Sequence, residues 1–400
     1  MRIGFLANKF LDPRSPGSWS GLPFFTKRAV EDSGIEMLTI WSEESHKAEC
    51  WIQFFYWRLL HRKRYLRYCN KRLLQGYARQ IERRLASGPP VDAVFSVSTW
   101  PIAYLETNLP VVLWTDACFA GMLDFYGSFT NLAEPSIQAG HAAEQRALDR
   151  CARVIYSSQW VAQTALEHYR VDPAKLCVIP FGGNLQEPPT FEQAAAMVSA
   201  RDRSRCNLLL VGVDWERKGA DIAVEAVEAL REAGLDARLT VVGCKPPPAR
   251  GLPSSVEIIP FIGKETAEDR RRLDEIYGRS HFFIMPSRAE AFGVVFAEAS
   301  AFGVPCLATK VGGLPSVITD DVNGRLFSLG ARGKEYADYI LKYVRNPVRY
   351  RQLALRTARE GTTRLSWNAS GRKVAGILDA LVHQGTAAAL AARSVEAAKS

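Results

Sequence analysis

The chain has 400 residues, too many for one ordinary domain and suited to two of about 200 each. Its composition, 47% hydrophobic and 23% charged, excludes collagen-like and low-complexity chains. No run reaches the about 18 apolar residues of a membrane span, and the apolar start Arg2–Ala7 is too short for a signal peptide, so a cytoplasmic protein is expected.

The net charge of +9 is concentrated in one place. Residues 45–88 hold eleven Lys and Arg against two acids, an excess equal to that of the whole chain. The eight cysteines form no C-x-x-C pair and show no metal-ligand spacing, so reduced, buried thiols are expected.

The opening Arg2–Ala7 reads as a short buried strand. A glycine- and proline-rich loop follows from Asp12 to Pro23, then a helix from Phe24 to Ser33 closed by Gly34. Strand, glycine loop and helix in this order resemble the first unit of a Rossmann-type domain. Further apolar runs fall at Val91–Ser96, Val111–Trp114, Arg153–Tyr156 and Cys177–Ile179, with helical stretches at Gln138–Arg150 and Trp160–Tyr169. Such alternation predicts a parallel sheet covered by helices on both faces.

Residues 185–204, rich in Pro, Gln, Glu and Ala, read as an inter-domain linker with room for one or two helical turns. A second alternating series follows. Its strands are expected at Asn207–Val211, Ala237–Val242, Val256–Ile259, His281–Met285, Pro305–Ala308 and near Leu326. Its helices are expected at Asp221–Ala233, Ala267–Tyr277 and Val294–Ala301. A last helix over 366–382 precedes an Ala-rich tail at 383–400, read as a frayed helix or a disordered segment. The expected fold is α/β, with two Rossmann-like doubly wound domains, 1–184 and 205–365, facing a cleft.

Three stretches carry chemistry. The first is Ser287-Arg-Ala-Glu290-Ala-Phe292-Gly293-Val294-Val295-Phe-Ala-Glu298, which follows a strand and opens a helix. Free N–H groups and the positive dipole end at a helix start suit a diphosphate. Glu298 lies roughly 7–8 Å further along the axis. Both carboxylates accept hydrogen bonds from sugar hydroxyls.

Two glutamates eight positions apart, with Phe-Gly after the first and Gly303-Val-Pro-Cys-Leu-Ala-Thr-Lys-Val-Gly-Gly-Leu-Pro-Ser316 beyond, resemble the signature of family 4 retaining glycosyltransferases of the GT-B fold. The second stretch, Val211-Gly-Val213-Asp-Trp-Glu-Arg217-Lys218-Gly219, is similar to that family's Gly-Arg-x-x-x-x-Lys-Gly loop. Lys218 matches the lysine, and Val213 stands where the arginine is usual. Adjacent Arg217 is the candidate substitute, since fixed cations stabilise the charge that builds on a leaving diphosphate. The third stretch, Gly17-Ser-Trp19-Ser20-Gly21, is similar to the family's glycine-rich loop after the first strand, which approaches the donor phosphate and the acceptor.

The resemblance implies the following assignments. Glu290, Lys218 and Arg217 act in catalysis. Ser20, Gly21, Phe292, Gly293, Val294, Val295 and Glu298 join them at the donor, with the ribose at Glu298. Trp19, Asp116 (or its neighbour Thr115 in its place) and His141 lie on the acceptor side, although a lone helical histidine such as His141 is more often packing. The co-substrate is a nucleotide-diphosphate sugar, with no further cofactor and no metal. The C-terminal helix returns to the first domain. The acceptor is a hydroxyl on a glycan, a lipid or a small molecule. A nucleotide-sugar epimerase shares the same donor residues, and a non-catalytic sugar-nucleotide or membrane-surface binding protein is the alternative of another class.

Residues 51–84 interleave cations with Trp51, Phe54, Phe55, Tyr56, Trp57, Tyr65, Tyr68 and Tyr77. Two readings weigh equally: a contact with an anionic membrane, peripheral on its inner face, or a helical excursion with core aromatics and solvated cations. No nucleic-acid partner is expected.

Overall fold

The computed structural model describes residues 1–247 and 251–397, with side chains as far as residue 383. The chain forms two compact units. One is Met1–Ile179 together with the chain from Gly371 on, and the other is Pro180–Ser370.

The first unit runs β1 (Arg2–Ala7), α1 (Leu22–Glu31), β2 (Glu36–Trp41), α2 (Lys47–Leu60), α3 (Lys71–Ser87), β3 (Ala93–Ser96), β4 (Val111–Thr115), α4 (Phe119–Met122), α5 (Glu134–Arg150), β5 (Arg153–Tyr156), α6 (Gln159–His168) and β6 (Leu176–Val178). Its six strands lie in the order β2-β1-β3-β4-β5-β6, and all pairs are parallel. β3 (Ala-Val-Phe-Ser) and β4 (Val-Val-Leu-Trp-Thr) are buried at every residue, as a sheet covered on both faces requires.

The second unit runs α7 (Phe191–Ala200), β7 (Cys206–Val211), α8 (Ala220–Glu232), β8 (Ala237–Val242), β9 (Val256–Ile259), α9 (Ala267–Arg279), β10 (Phe282–Met285), α10 (Val294–Ala301), β11 (Cys306–Thr309), β12 (Gly324–Phe327), α11 (Gly333–Val344) and α12 (Pro347–Thr362). The strand order is β12-β11-β10-β7-β8-β9, again parallel throughout. The last helix, α13 (Trp367–Ala397), starts in the second unit and passes into the first. There Gly371 lies so close to α1 that an added Cβ would stand 2.1 Å from the Ala29 carbonyl oxygen.

Four features depart from the sequence reading. The stretch 185–204 carries α7, whose N-terminus is closed by a reciprocal capping box between Thr190 and Gln193. Arg201 then fastens this stretch to the carbonyls of Phe302 and Gly303, at 2.8 Å each, so the segment is an ordered part of the second unit. Of the two readings of the Ala-rich tail, the helical one holds as far as Ala397 rather than ending at 382, and residues 398–400 lie outside the described residues. The edge strand β2 and helices α11 and α12 were not anticipated. Finally, the basic segment is two helices. In α3, Leu73, Leu74, Tyr77, Ala78 and Ile81 pack into the core while Arg79, Arg83 and Arg84 face solvent. That is the bland half of the segment, and α2 is different.

Candidate functional site

In an open parallel sheet, ligands sit where neighbouring strands send the chain in opposite directions, at the carboxyl ends of those strands. In the second unit this switch falls between β7 and β10, which are adjacent while the chain leaves them toward opposite edges. The loop after β7 carries Arg217 and Lys218, and the loop after β10 carries Glu290 and Gly293.

Close packing holds the two loops together. Arg288 N–H donates to the Arg217 carbonyl at 2.8 Å, and Arg217 Nη1 donates to the Ala289 carbonyl at 3.1 Å. Gly219 has φ +70°, and a Cβ there would stand 2.2 Å from the Pro286 carbonyl oxygen. No side chain fits that approach. The loop after β11 joins them, its Gly313 N–H donating to the Glu290 carbonyl at 3.1 Å.

This scaffold converges on the Glu290 carboxylate. Lys218 Nζ donates to Glu290 Oε2, and Arg217 Nη1 lies 3.7 Å from the same oxygen. Lys218 and Glu290 are each only 8% exposed. A carboxylate and two cations thus share one nearly buried spot, which offsets the cost of desolvating each charge. Val213 is 64% exposed and carries no charge, and the cation that joins Lys218 at Glu290 is Arg217. Gly293, at φ +78°, starts α10, and the first N–H groups of that helix follow at Val294 and Val295, both partly exposed. Phe292 is not at the surface of this spot. Its ring is buried against Phe181, centroids 5.2 Å apart, so its side chain is spent on packing.

Glu298 has the surroundings that the sequence hid. It is fully buried. Lys264 Nζ lies 2.5 Å from Oε1, and the Tyr277 hydroxyl donates to Oε2 at 3.0 Å. Lys264 also donates to the Asn184 carbonyl at 3.2 Å. Beside Lys264 opens a cavity of about 290 Å³, lined in part by Asn184, Arg270 and Asp274. Burial pushes the Asp274 carboxyl up to about 6, helped by the Glu298 charge. Lys264 has no motif around it. The only signal for it was its place on the loop after β9, at the same end of the sheet as the other loops.

The first unit repeats the logic. Its switch lies between β1 and β3. Trp19, on the loop after β1, stacks on Trp100, on the loop after β3, with centroids 5.6 Å apart and planes 7° from parallel. Tyr68 packs on Trp100 at 4.6 Å. Trp19, Ser20 and Gly21 have φ of +40°, +55° and +83° in succession, and the first two are costly for residues with a Cβ. Trp100 as the partner of Trp19, and Tyr68 as the partner of Trp100, escaped the sequence reading. Asp116 follows β4 directly. His141 is occupied inside the helical layer: its Nδ1 lies 3.0 Å from the Tyr169 hydroxyl, and its ring packs edge-on to Phe119. Burial holds its pKa below the usual range. All eight cysteines are free, seven of them buried. Among the described residues no three His, Cys, Asp or Glu side chains converge as metal ligands.

Comparison with known proteins agrees with this layout. Residues 28–187 match the family profile described as Glycosyltransferase Family 4, and residues 205–346 match that of Glycosyl transferases group 1. The D-inositol 3-phosphate glycosyltransferase of Nocardiopsis dassonvillei is 29% identical over 259 residues, 62% of this chain and 59% of that protein. The enzyme of the same name from Xylanimonas cellulosilytica is 30% identical over 251 residues, 58% of each chain. The match therefore spans about six tenths of the length of these relatives. Among solved structures, sucrose-phosphate synthase from Thermosynechococcus elongatus superposes with a TM-score of 0.67 at 16% identity, over 96% of this chain and 100% of that one. Anabaena HepE in complex with UDP-glucose superposes with a TM-score of 0.60 at 16% identity, over 95% and 100%.

Proposed function

The chain belongs to glycosyltransferase family 4 and has the GT-B fold, and from that premise we propose that it moves a hexose from a nucleotide-diphosphate sugar to an acceptor hydroxyl, with retention at the anomeric carbon and without a metal. The observation that carries this reading is the Lys218–Glu290–Arg217 cluster at the sheet's switch point, beside the start of α10. Departure of a nucleotide diphosphate places new negative charge on its terminal phosphate. Two fixed cations and a helix start, already in place before reaction, stabilise that charge without reorganising. Glu290 then turns its carboxylate to the hexose hydroxyls as the diphosphate takes over its cations. Glu298 receives the ribose once Lys264 yields. The bond from the anomeric carbon to the diphosphate breaks, the bond to the acceptor oxygen forms, and the acceptor proton passes to the leaving phosphate.

In the first unit, Trp19 and Asp116, on the loops after β1 and β4, serve the acceptor. The acceptor is a hydroxyl of a glycan, a lipid or a small molecule, and the basic aromatic segment makes a contact with an anionic membrane. UDP-glucose is the first donor to test, because the HepE structure holds it.

A panel of UDP-, GDP-, ADP- and TDP-sugars, read by thermal shift, should single out one nucleotide, since a ligand bound only to the folded state raises the melting temperature. With that donor, Lys218→Ala should weaken binding and lower turnover by about 100-fold or more, the scale of losing one fixed charge at a developing anion. Glu290→Gln should cut turnover with less effect on nucleotide binding. Wild-type turnover in both variants would overturn the assignment.

A further inference from the structure

Helix α2 reverses the usual arrangement of an amphipathic helix. Ile52, Phe55, Tyr56 and Leu59 recur at the i, i+3, i+4, i+7 spacing that normally marks a buried stripe. Here that stripe faces solvent. Ile52 is 66% exposed and Leu59 72%, and Leu60 at the helix end is 70% exposed. The opposite side, with Cys50, Phe54 and Trp57, is the one turned to the protein. Six of the fourteen large apolar side chains exposed among the described residues lie in this one helix, and the others are scattered along the chain. Single exposed apolar residues are ordinary, whereas a contiguous patch marks an interaction surface.

The charge around the stripe is one-sided. Lys47, Arg58, Arg62, Lys63 and Arg64 are all exposed, and the single acid between residues 47 and 64, Glu49, is already paired with Arg72 at 2.9 Å. Arg58, Arg62 and Lys63 form no ion pair among the described residues. The cationic turn that follows the helix is built into the unit. Asn131 Nδ2 donates to the Arg62 carbonyl at 2.9 Å, Arg64 N–H donates to the Asn131 carbonyl at 2.9 Å, and Ala133 N–H donates to the Arg64 carbonyl at 2.8 Å. The cations are therefore held at the end of the stripe. Trp51 borders the stripe, stacked on Phe55 at 5.7 Å and capped by the Arg67 guanidinium at 3.8 Å.

We propose that α2 is an interfacial membrane helix: Ile52, Phe55, Tyr56, Leu59 and Leu60 enter the surface of an anionic bilayer while Arg58, Arg62 and Lys63 bind its lipid phosphates. The inference narrows the membrane contact included in the function proposed above and excludes α3 from it, and it requires neither donor nor turnover. Charge selects this occupant. A second copy docked through the same stripe would bring its own cations against these, and like charges facing each other at an interface repel. Anionic headgroups neutralise them instead, and each basic side chain near such a surface adds to the attraction. Aliphatic tips inside the apolar layer with Trp and Tyr at its edge is the pattern of a helix lying in the interface. No helix among the described residues is long and apolar enough to cross a membrane, so the contact is one of lying on the surface.

Co-sedimentation of the full chain with phosphatidylcholine vesicles, with and without phosphatidylglycerol, tests the proposal. Binding should require the anionic lipid and weaken with salt. Leu59→Ser with Leu60→Ser, and separately Arg62→Gln with Lys63→Gln, should each reduce partitioning by about tenfold or more. Melting temperatures should stay at the wild-type value, because these side chains touch little of the protein. Hydrogen exchange on vesicles should slow over residues 51–62 and not over α3. Absence of binding to anionic vesicles overturns the proposal. So does binding untouched by the leucine pair, which would mean electrostatic adsorption without insertion. A wild-type dimer in lipid-free sedimentation that the leucine pair makes monomeric would assign the stripe to a second copy instead. Failure of donor binding in the thermal-shift panel would sink the transferase reading and leave this result standing.

Discussion

Glu298 illustrates how the site stores its charges. Both of its oxygens are engaged, one by Lys264 and one by Tyr277, and nothing of it is exposed. The ribose contact proposed above would require one of these neighbours to give way. Tyr277 is fixed, its ring stacked on Phe302 with centroids 5.3 Å apart and planes 10° from parallel. Lys264 is the more exposed partner: its side chain keeps 24% exposure, and Asp274 lines the cavity beside it. Removing Lys264 alone strands a buried carboxylate, a change that costs about 3–5 kcal/mol. Lys264→Met should therefore lower the unfolding free energy by about that amount in urea melts. Adding Glu298→Gln to Lys264→Met should recover most of the loss, because the uncompensated charge is gone. A Lys264→Met variant as stable as wild type would show that the pair carries no such charge burden.

At the scale of elements, the site depends on three loops seated within bonding distance of one another after β7, β10 and β11. Gly219 is the tightest point, combining φ +70° with the 2.2 Å approach of the Pro286 carbonyl to the position of a Cβ. Gly219→Ala should force the loops apart, cost about 1–3 kcal/mol, and weaken nucleotide binding beyond what that loss of stability explains, because Lys218 moves with the loop. Calorimetric titration of the nucleotide checks this, and wild-type affinity would contradict it. This geometry also explains what was legible in the sequence. Strand-helix alternation and the Glu290 to Glu298 stretch are short-range patterns, and β5, β8, β9 and α10 lie at the residues that the patterns indicate. The pairing of Lys218 with Glu290 was legible only as two motifs, because 72 residues separate them. Lys264 and Trp100 stood in no motif, and their roles come from the order of strands in space. β2 was missed because an edge strand buries only part of its side chains. The segment with α7 was misread because Pro, Gln and Glu set its composition, whereas a capping box and two buried residues, Ala194 and Val198, set its structure.

For the whole molecule, two units mean two unfolding events, each with its own pH dependence, and a single melting temperature would average them. The first unit contains a carboxyl that makes this visible. Glu144 on α5 is buried, and burial raises its pKa to about 7, against the opposing bond donated by the Thr99 hydroxyl at 3.1 Å. The folded unit therefore holds the proton up to about pH 7, whereas the unfolded chain releases it near the ordinary value of 4.5. Below that ordinary value both states are protonated and Glu144 costs nothing. As pH rises toward 7 the unfolded state gains by ionising, and the unit loses about 3 kcal/mol at about 1.4 kcal/mol per unit of pKa difference. His141, whose pKa burial lowers, works the other way, since its unit loses stability as pH falls through the usual histidine range. A comparison of wild type with Glu144→Gln cancels this term, because both carry His141. The amide keeps the shape and a polar contact to Thr99 without a proton to release. Urea melts of the first unit's transition at about pH 5 and about pH 8 should show the variant gaining on wild type as pH rises, by about 2.5 kcal/mol over that span. The second unit's transition, identified as the one a bound nucleotide shifts, should move equally in both proteins. Parallel pH profiles for the first transition would mean that Glu144 is already ionised in the folded chain.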